Sequence, residues 1–304
     1  MKIFVSGSSG FIGFHLSKKF LDKGFKVHGY DSMNNYYDIN LKKSRLKILK
    51  KYKNFTFSQG LLENNKKLDY SITKFRPSII VHLAAQAGVR YSLDKPEKYL
   101  DSNIIGTFNI IKAANKIKIK HLIIGSSSSV YGANKKIPFK EVDKTDHQIS
   151  IYAATKKSSE NLAHAYSALW KLPTTMLRFF TVYGPWGRPD MAYYSFINRL
   201  KKNQKIEVFN KGKMKRDFTY IDDVVDGIHN VIRIKIKEKF VVLNIGKGKP
   251  DNLMDLISSI QKYYGRKFKI KFTNNIPSGD IKKTFANTFK AKKTIRWKPK
   301  VSLA

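Results

Sequence analysis

Short apolar runs alternate with longer amphipathic stretches along the first 180 residues of the chain. The short runs are rich in β-branched residues, and the longer stretches repeat their apolar residues at the spacing of a helix. This alternation predicts strands over 2–6, 26–30, 55–58, 79–83, 120–124 and 174–179. It predicts helices over 11–23, 40–51, 64–74, 97–116 and 151–171.

Strands that are separated by helices in this way pair in parallel through right-handed crossovers. The predicted fold class is therefore α/β, with a doubly wound parallel sheet of the Rossmann type over residues 1–180. Beyond residue 180 the alternation becomes irregular, with short strands predicted around 206–209 and 216–220. The sheet is predicted to be completed by about 217–246. Residues 181–216 and 247–304 are predicted to form a smaller mixed α/β lobe that binds substrate, and the C-terminus is interpreted as truncated.

Composition narrows the class of protein and the kinds of site that the chain could hold. It contains no Cys, which excludes a disulfide scaffold, a thiolate metal site and a cysteine nucleophile. No metal site is predicted. The first residues form a strand pattern rather than a signal peptide. No apolar run approaches the ~20 residues that span a bilayer. These features predict a cytoplasmic protein without a membrane partner.

The formal net charge of +37 does not by itself indicate a nucleic-acid partner. The chain has ten Arg and 49 Lys, and the lysines are spread almost evenly from end to end. Nucleic-acid binders cluster their charge and use Arg for base contacts. We therefore interpret the charge as a solvated lysine surface that would also attract an anionic ligand.

A glycine-rich segment lies between the first predicted strand and helix, with Gly7, Gly10 and Gly13 spaced as Gly-x-x-Gly-x-x-Gly. Glycines at such a junction let the backbone approach a pyrophosphate, which the helix N-terminus then binds. Asp31 ends the second strand, where a carboxylate can accept hydrogen bonds from a ribose and repel a 2′-phosphate. The pattern favours NAD over NADP. The alternatives are an ordinary sharp turn and an Asp that only starts the next loop.

Tyr152 and Lys156 stand four residues apart near the start of a predicted helix, so their side chains lie on one face. A nearby ammonium favours the phenolate form of a tyrosine, and such a tyrosine can act as a base. Four serines, 126–129, follow the fifth strand and could hold a polyhydroxylated or anionic ligand. The alternatives are a solvated Tyr–Lys pair and a serine-rich turn.

Taken together, these motifs resemble the extended short-chain dehydrogenase/reductase family and its NAD-dependent epimerase/dehydratase group. The resemblance adds His82-Leu83-Ala84-Ala85 and Ser129-Val130-Tyr131-Gly132, and it covers nearly the whole chain. It implies that Tyr152 is the base, that Lys156 tunes it and holds the nicotinamide ribose, and that Ser127 assists at the reacting oxygen. The implied NAD-binding residues are Gly7, Gly10, Phe11, Ile12, Gly13, Asp31, Leu62, Leu83, Ala84, Ala85, Tyr152 and Lys156.

A longer segment, Arg178 to Ala192, resembles one subgroup, the UDP-glucuronate 4-epimerases, and the segments 35–38 and 86–90 match the same subgroup. The resemblance implies a UDP-hexuronic acid substrate whose carboxylate is held by an arginine and hydroxyls. It also implies an arginine on the pyrophosphate, an aromatic contact with the uracil, and a homodimer. The implied substrate-binding residues are Arg90, Ser128, Ser129, Thr181, Arg188, Phe209 and Arg216.

The expected reaction is epimerisation at C4 through a 4-keto intermediate. Related decarboxylases and dehydratases carry an acid in the segment where this chain has Ser128 and Ser129, and galactose epimerases carry Asn where it has Thr181. UDP-glucuronate decarboxylation and another UDP-sugar epimerisation remain as alternatives. A non-catalytic nucleotide-binding protein is the alternative from a different class. Leu61 departs from the family, which has Asp there on adenine, and predicts a weaker hold on NAD.

Overall fold

The computed structural model describes residues 1–303 and shows strands and helices in close alternation over its first half. The strands are β1 (Lys2–Ser6), β2 (Lys26–Asp31), β3 (Phe55–Gln59), β4 (Ile79–His82), β5 (His121–Ser127), β6 (Thr174–Phe179), β7 (Thr181–Tyr183), β8 (Ile206–Val208), β9 (Lys215–Arg216), β10 (Phe218–Tyr220), β11 (Phe240–Ile245), β12 (Asp251–Asn252) and β13 (Ile270–Phe272). The helices are α1 (Phe11–Asp22), α2 (Ile39–Leu49), α3 (Asn65–Phe75), α4 (Tyr91–Asp94), α5 (Glu97–Tyr99), α6 (Gly106–Lys116), α7 (Ile151–Trp170), α8 (Ala192–Lys201), α9 (Ile221–Arg233), α10 (Leu253–Tyr264) and α11 (Phe289–Ile295).

Within residues 1–303, seven parallel strands form the central sheet in the order β3-β2-β1-β4-β5-β6-β11. Strands that are buried on both faces must be apolar throughout, and β1 and β4 are indeed buried along almost their whole length. The strand order reverses between β1 and β4. In open α/β sheets a ligand binds outside the carboxyl ends of the strands at such a reversal.

Helices cover both faces of this sheet, as the predicted fold class requires. Helices α1, α2 and α9 pack over one face, and α3, α6 and α7 pack over the other. A smaller lobe has its own core, in which α8 and α10 pack around Phe196, Ile206 and Ile257. The predicted α/β fold with a doubly wound parallel sheet is confirmed.

One predicted helix has an internal irregularity, and one predicted strand is divided. The chain is helical over the whole of the predicted range 97–116, but the segment Leu100–Ile105 between α5 and α6 is π-helical. The strand predicted over 216–220 is divided, because Asp217 is buried between β9 and β10 and accepts hydrogen bonds from three backbone amides. β10 pairs with β7, so within 217–246 the central sheet gains β11 alone.

The division of the chain into a Rossmann domain and a substrate lobe stays a prediction, but the packing of one segment departs from it. Residues 247–304 were assigned to the lobe, whereas Ala291, Ile295 and Trp297 are buried in the core beside the central sheet. The Trp297 indole donates a hydrogen bond to the carbonyl of Asp223 on α9, at 2.8 Å. This segment therefore closes the Rossmann core.

Candidate active site

A cavity of about 540 Å³ lies at the carboxyl ends of β1, β2, β4 and β5. It occupies the point where the strand order reverses, which is where this class of sheet binds ligands. All the residues that the sequence implied for NAD binding line it, as do Ser127 and Arg188.

The glycine-rich segment meets the cavity in the conformation that an anion-binding turn needs. Gly7 has a φ of +74°, and a Cβ there would lie 2.7 Å from the backbone nitrogen of Ala84. No side chain caps the start of α1 at Gly10. The first amides of α1, at Phe11 and Ile12, therefore stay available to a ligand with the positive end of the helix dipole behind them. The segment fits a pyrophosphate.

Asp31 is buried at the end of β2, where the ribose-binding acid was predicted. Its two carboxylate oxygens accept hydrogen bonds from the amides of Ser9, at 3.0 Å, and Met33, at 2.9 Å. Each oxygen keeps a further lone pair for a hydroxyl. The carboxylate is thus held in place by the glycine loop and still fits a ribose.

Sequence reasoning missed one residue that lines this cavity, Lys42. Lys42 on α2 is buried, and its Nζ donates a hydrogen bond to Asn34 Oδ1 at 2.6 Å. Burial lowers the pKa of this ammonium, while the Asp31 carboxylate acts to raise it. Nothing in the sequence distinguishes Lys42 from the other lysines. Leu61, the departure from the family, also lines the cavity and supplies no polar group to an adenine.

The three predicted catalytic residues are brought together from β5 and α7. Ser127 ends β5, while Tyr152 and Lys156 lie in the first two turns of α7. The Ser150 hydroxyl caps the N-terminus of this helix by accepting a hydrogen bond from the amide of Ala153 at 3.1 Å. Burial raises the pKa of Tyr152, and the nearby Ser127 hydroxyl acts to lower it. Burial lowers the pKa of Lys156 to about 8. The arrangement suits a base whose proton is shared with its neighbours.

A buried ion pair that the sequence did not reveal joins Arg178 on β6 to Glu160 on α7 behind these residues. Glu160 accepts from Arg178 Nε at 2.9 Å and Nη2 at 2.8 Å, and from the Ser126 hydroxyl at 2.6 Å. Both charged side chains are only 4% exposed. Because Ser126 precedes Ser127 and Glu160 follows Lys156 by one turn, the Ser126–Glu160 hydrogen bond holds β5 beside α7 next to the predicted catalytic residues.

A second cavity, of about 660 Å³, adjoins the first and shares Ser127, Tyr152 and Arg188 with it. Because the two cavities share these residues, a ligand bound in the first cavity and a ligand bound in the second would meet beside Tyr152. The second cavity is lined by all the residues that the sequence implied for the substrate, namely Arg90, Ser128, Ser129, Thr181, Arg188, Phe209 and Arg216.

Four arginines line this cavity, and each of the three that the sequence implied for the substrate already has a carboxylate beside it. The fourth, Arg199, donates a hydrogen bond to the carbonyl of Lys205 at 2.9 Å. Arg188 pairs with Asp190 through two hydrogen bonds, at 3.0 and 2.5 Å. Arg90 and Arg216 lie 3.6 and 3.5 Å from opposite oxygens of Asp280, and the Arg90 guanidinium is 5.0 Å from the centre of the Phe209 ring. The sequence had assigned no role to either aspartate.

Within 1–303, no group of three or more His, Cys, Asp or Glu side chains is placed to bind a metal ion. No helix in the same range is both long enough and apolar enough to cross a membrane.

The model of the NAD-dependent epimerase/dehydratase family matches residues 3–246, which is most of the chain. The chain belongs to this family. The family uses NAD as its cofactor, and the glycine segment and Asp31 of the first cavity fit that molecule. Membership also makes the chain an enzyme of the epimerase/dehydratase type.

Relatives within the family share the whole length of the chain. It is 40% identical to the UDP-glucuronate 4-epimerase of Thermodesulfobacterium geofontis, over 98% of this chain and 91% of that protein. It is 39% identical to UDP-glucuronate 4-epimerase 2 of Arabidopsis thaliana, over 100% of this chain and 73% of the relative. The UDP-glucuronic acid 4-epimerase of Bacillus cereus, solved with UDP-glucuronic acid and NAD, has a TM-score of 0.92 and 33% identity, covering 100% of this chain and 95% of that one.

Proposed function

We propose that the chain is an NAD-dependent UDP-glucuronate 4-epimerase that interconverts UDP-glucuronate and UDP-galacturonate. One observation supports this most directly. Arg188, Ser128, Ser129 and Thr181 line a single cavity together with Tyr152. A guanidinium and hydroxyls are what a sugar carboxylate needs, and here they lie beside the base. The relatives named above carry the same activity in their names.

Each of the proposed site residues has a defined task in the reaction. Tyr152 removes the proton of the C4 hydroxyl, and Ser127 hydrogen-bonds to the same oxygen. Lys156 makes the loss of the tyrosine proton easier. NAD, when bound, accepts the C4 hydride and returns it to the opposite face of the ring. Arg90 and Arg216 hold the pyrophosphate, and Phe209 contacts the uracil, while the 4-keto sugar turns between the two hydride transfers.

The same residues argue against decarboxylation as the main outcome. A ketone at C4 with a carboxylate on C5 is a β-keto acid, which loses CO₂ when the carboxylate bond aligns with the ketone π system. Arg188 and the hydroxyls would hold the carboxylate away from that alignment. Asp190 does put an acid into this cavity, but its oxygens are occupied by Arg188 and the Tyr36 hydroxyl. It therefore does not replace the acid missing at 128 and 129.

The partners of the proposed enzyme follow the same reasoning. Its substrate is a UDP-hexuronic acid, and no nucleic-acid partner is proposed. A homodimer is supported by exposed apolar side chains on α7 and on the helical segment that packs against it, including Leu100, Ile105 and Leu169. Sedimentation at equilibrium tests the dimer. The cytoplasmic location stays a prediction from the sequence.

Incubation of the purified chain with UDP-glucuronate and NAD, with the products identified by NMR and mass spectrometry, tests the proposed function. We expect UDP-galacturonate at equilibrium with the substrate. Tyr152→Phe should keep the fold and NAD binding but lower turnover by at least ~10²-fold, the scale of a lost general base. UDP-pentose as the main product, or full activity in the Tyr152→Phe variant, would contradict the proposal.

A further inference from the structure

The Arg188 guanidinium is already held along one of its edges. Asp190 Oδ1 accepts from Nε at 3.0 Å, and Oδ2 accepts from Nη2 at 2.5 Å. A guanidinium has five N–H donors in a planar fork. Two of them point at Asp190, and the remaining three lie on Nη1 and Nη2. The edge formed by these two nitrogens has no carboxylate partner among the described residues, so it can bind a second carboxylate bidentately.

Asp190 is in turn held from another part of the chain. The Tyr36 hydroxyl donates to Asp190 Oδ2 at 3.1 Å, and the Arg188 guanidinium lies 6.0 Å from the centre of the Tyr36 ring. The Tyr36 ring packs against Tyr91, with 4.9 Å between the ring centres. Tyr36 belongs to the segment between β2 and α2, so it connects the arginine to the Rossmann unit.

These contacts lie where the orientation of Arg188 matters. Tyr36 and Arg188 line both cavities, and Asp190 lines the second. The Arg188 and Asp190 side chains are 24% and 31% exposed, so burial alone does not hold them in one orientation. Their contacts with each other and with Tyr36 do so. Burial acts to lower the pKa of Arg188, but the Asp190 carboxylate more than offsets it and the pKa is raised.

We propose that Asp190, anchored by Tyr36, is a positioning residue that turns the free Nη edge of Arg188 toward the C5 carboxylate of the substrate. The inference rests on the proposed function and deepens it. It assigns the restraint of the carboxylate to a chain of three residues, Tyr36, Asp190 and Arg188, rather than to the arginine alone.

The restraint has a chemical readout besides affinity. If the carboxylate of the 4-keto sugar rotates into alignment, the bond between C5 and the carboxylate breaks and CO₂ leaves. The bonding electrons pass to the C4 ketone as an enolate, and C5 takes up a proton. Return of the hydride to C4 then gives UDP-pentose. The ratio of UDP-pentose to UDP-galacturonate therefore reports how well Arg188 is oriented.

The experiment measures affinities for UDP-glucuronate and UDP-glucose by calorimetry in Asp190→Asn and Tyr36→Phe, each with and without Arg188→Ala. We expect Asp190→Asn to weaken UDP-glucuronate binding about tenfold and Tyr36→Phe about threefold, in the range of couplings between contacting residues. UDP-glucose binding should change less than about twofold, since a ligand without a carboxylate never uses this contact. Both variants should raise the fraction of UDP-pentose.

Asp22→Asn serves as a matched control. Asp22 accepts from the Tyr52 hydroxyl at 2.6 Å and pairs with Lys18 at 2.8 Å, so it has the same kinds of partner on the surface. This variant should change neither affinity nor products. Circular dichroism and NAD binding report whether each variant is folded. If Asp190→Asn does not fold, Tyr36→Phe still tests the inference.

Three results would overturn the inference. Unchanged or tighter binding of UDP-glucuronate in Asp190→Asn would mean that Asp190 competes for the arginine or does nothing to it. Equal losses for both nucleotides would give Asp190 a role in loop structure only. An undiminished effect of Asp190→Asn in the Arg188→Ala background would show that it acts independently. A wild type that binds but does not convert UDP-glucuronate would refute the proposed function alone, because the affinities still report Asp190.

Discussion

Lys156 gives the proposed enzyme a dependence on pH that the structure allows us to calculate. Its side chain is 5% exposed, and burial lowers its pKa from 10.5 to about 8, although the nearby Glu160 acts to raise it. Tyr152 has a raised pKa, so Lys156 is the first of the two to lose a proton as the pH rises. The base-competent site has one proton fewer than the fully protonated pair, whichever of the two residues carries the remaining proton.

The magnitude follows from this pKa. At pH 6 about 1% of the enzyme would have lost the proton, at pH 7 about 9%, and at pH 8 about half. We therefore expect kcat/KM to rise about tenfold from pH 6 to pH 7 and about fivefold more to pH 8, and then to level off. The positive charge of an oxidised nicotinamide ring would favour loss of the proton. It would move the rise toward lower pH without changing its direction.

The assay measures initial rates of UDP-galacturonate formation at low substrate concentration between pH 5.5 and 9.5, with the chosen pH values about half a unit apart. Lys156→Arg is the control, because a guanidinium does not lose its proton in this range. The rise in that variant should move up toward the raised pKa of Tyr152. A rate that falls between pH 6 and pH 8, or an identical profile in the Lys156→Arg variant, would refute the reasoning.

The same burial has a consequence for stability, with a definite sign. The folded pKa of Lys156 is below its unfolded value, so below about pH 8 the folded state carries the full cost, about 3 kcal/mol, of a buried ammonium. Stability from this group recovers as the pH rises from about 8 to 10.5. We therefore expect Lys156→Met to be inactive and yet more stable than the wild type at pH 7, as measured by urea denaturation. A less stable variant would contradict the calculated cost.

Three further predictions concern single side chains. Arg188→Ala should weaken UDP-glucuronate binding by ~1.5–3 kcal/mol and leave UDP-glucose binding nearly unchanged, as measured by calorimetry; equal losses would remove its role on the carboxylate. Asp31 should make the chain prefer NAD to NADP in binding titrations, and equal affinities would count against that role. Glu160→Gln should lower the free energy of unfolding by ~3–5 kcal/mol, because Arg178 would be buried without its partner; a loss below ~1 kcal/mol in urea denaturation would contradict this.

The fold could be predicted from the sequence because the strands of a doubly wound sheet are short, apolar and separated by helices of regular period. β1 and β6 begin and end at the residues predicted for them. The pattern fails where a contact with a distant part of the chain overrides the period. Asp217 interrupts a predicted strand because its carboxylate gathers amides from 247, 248 and 286, which no local pattern could reveal.

Which residues line the site could be predicted for a similar reason. The motifs around Gly7, Ser127 and Tyr152 follow or adjoin strands whose carboxyl ends meet at one edge of the sheet, so they must lie close together. Their partners could not be predicted in the same way. Asp190 and Glu160 act through pairings with side chains whose orientation only the folded chain fixes. Nothing in a sequence separates such a carboxylate from one that is merely solvated.

Three arginines show where side-chain geometry matters in a chain that has ten arginines and 49 lysines. Arg178 and Arg188 each bind a carboxylate through two nitrogens. Arg45 is completely buried and donates to the carbonyls of Ser9, Trp186 and Gly187, so it ties the glycine segment to the loop that carries Arg188. An ammonium could supply the charge at these three positions but not several fixed directions at once. These three arginines therefore indicate the position of the site better than the net charge does.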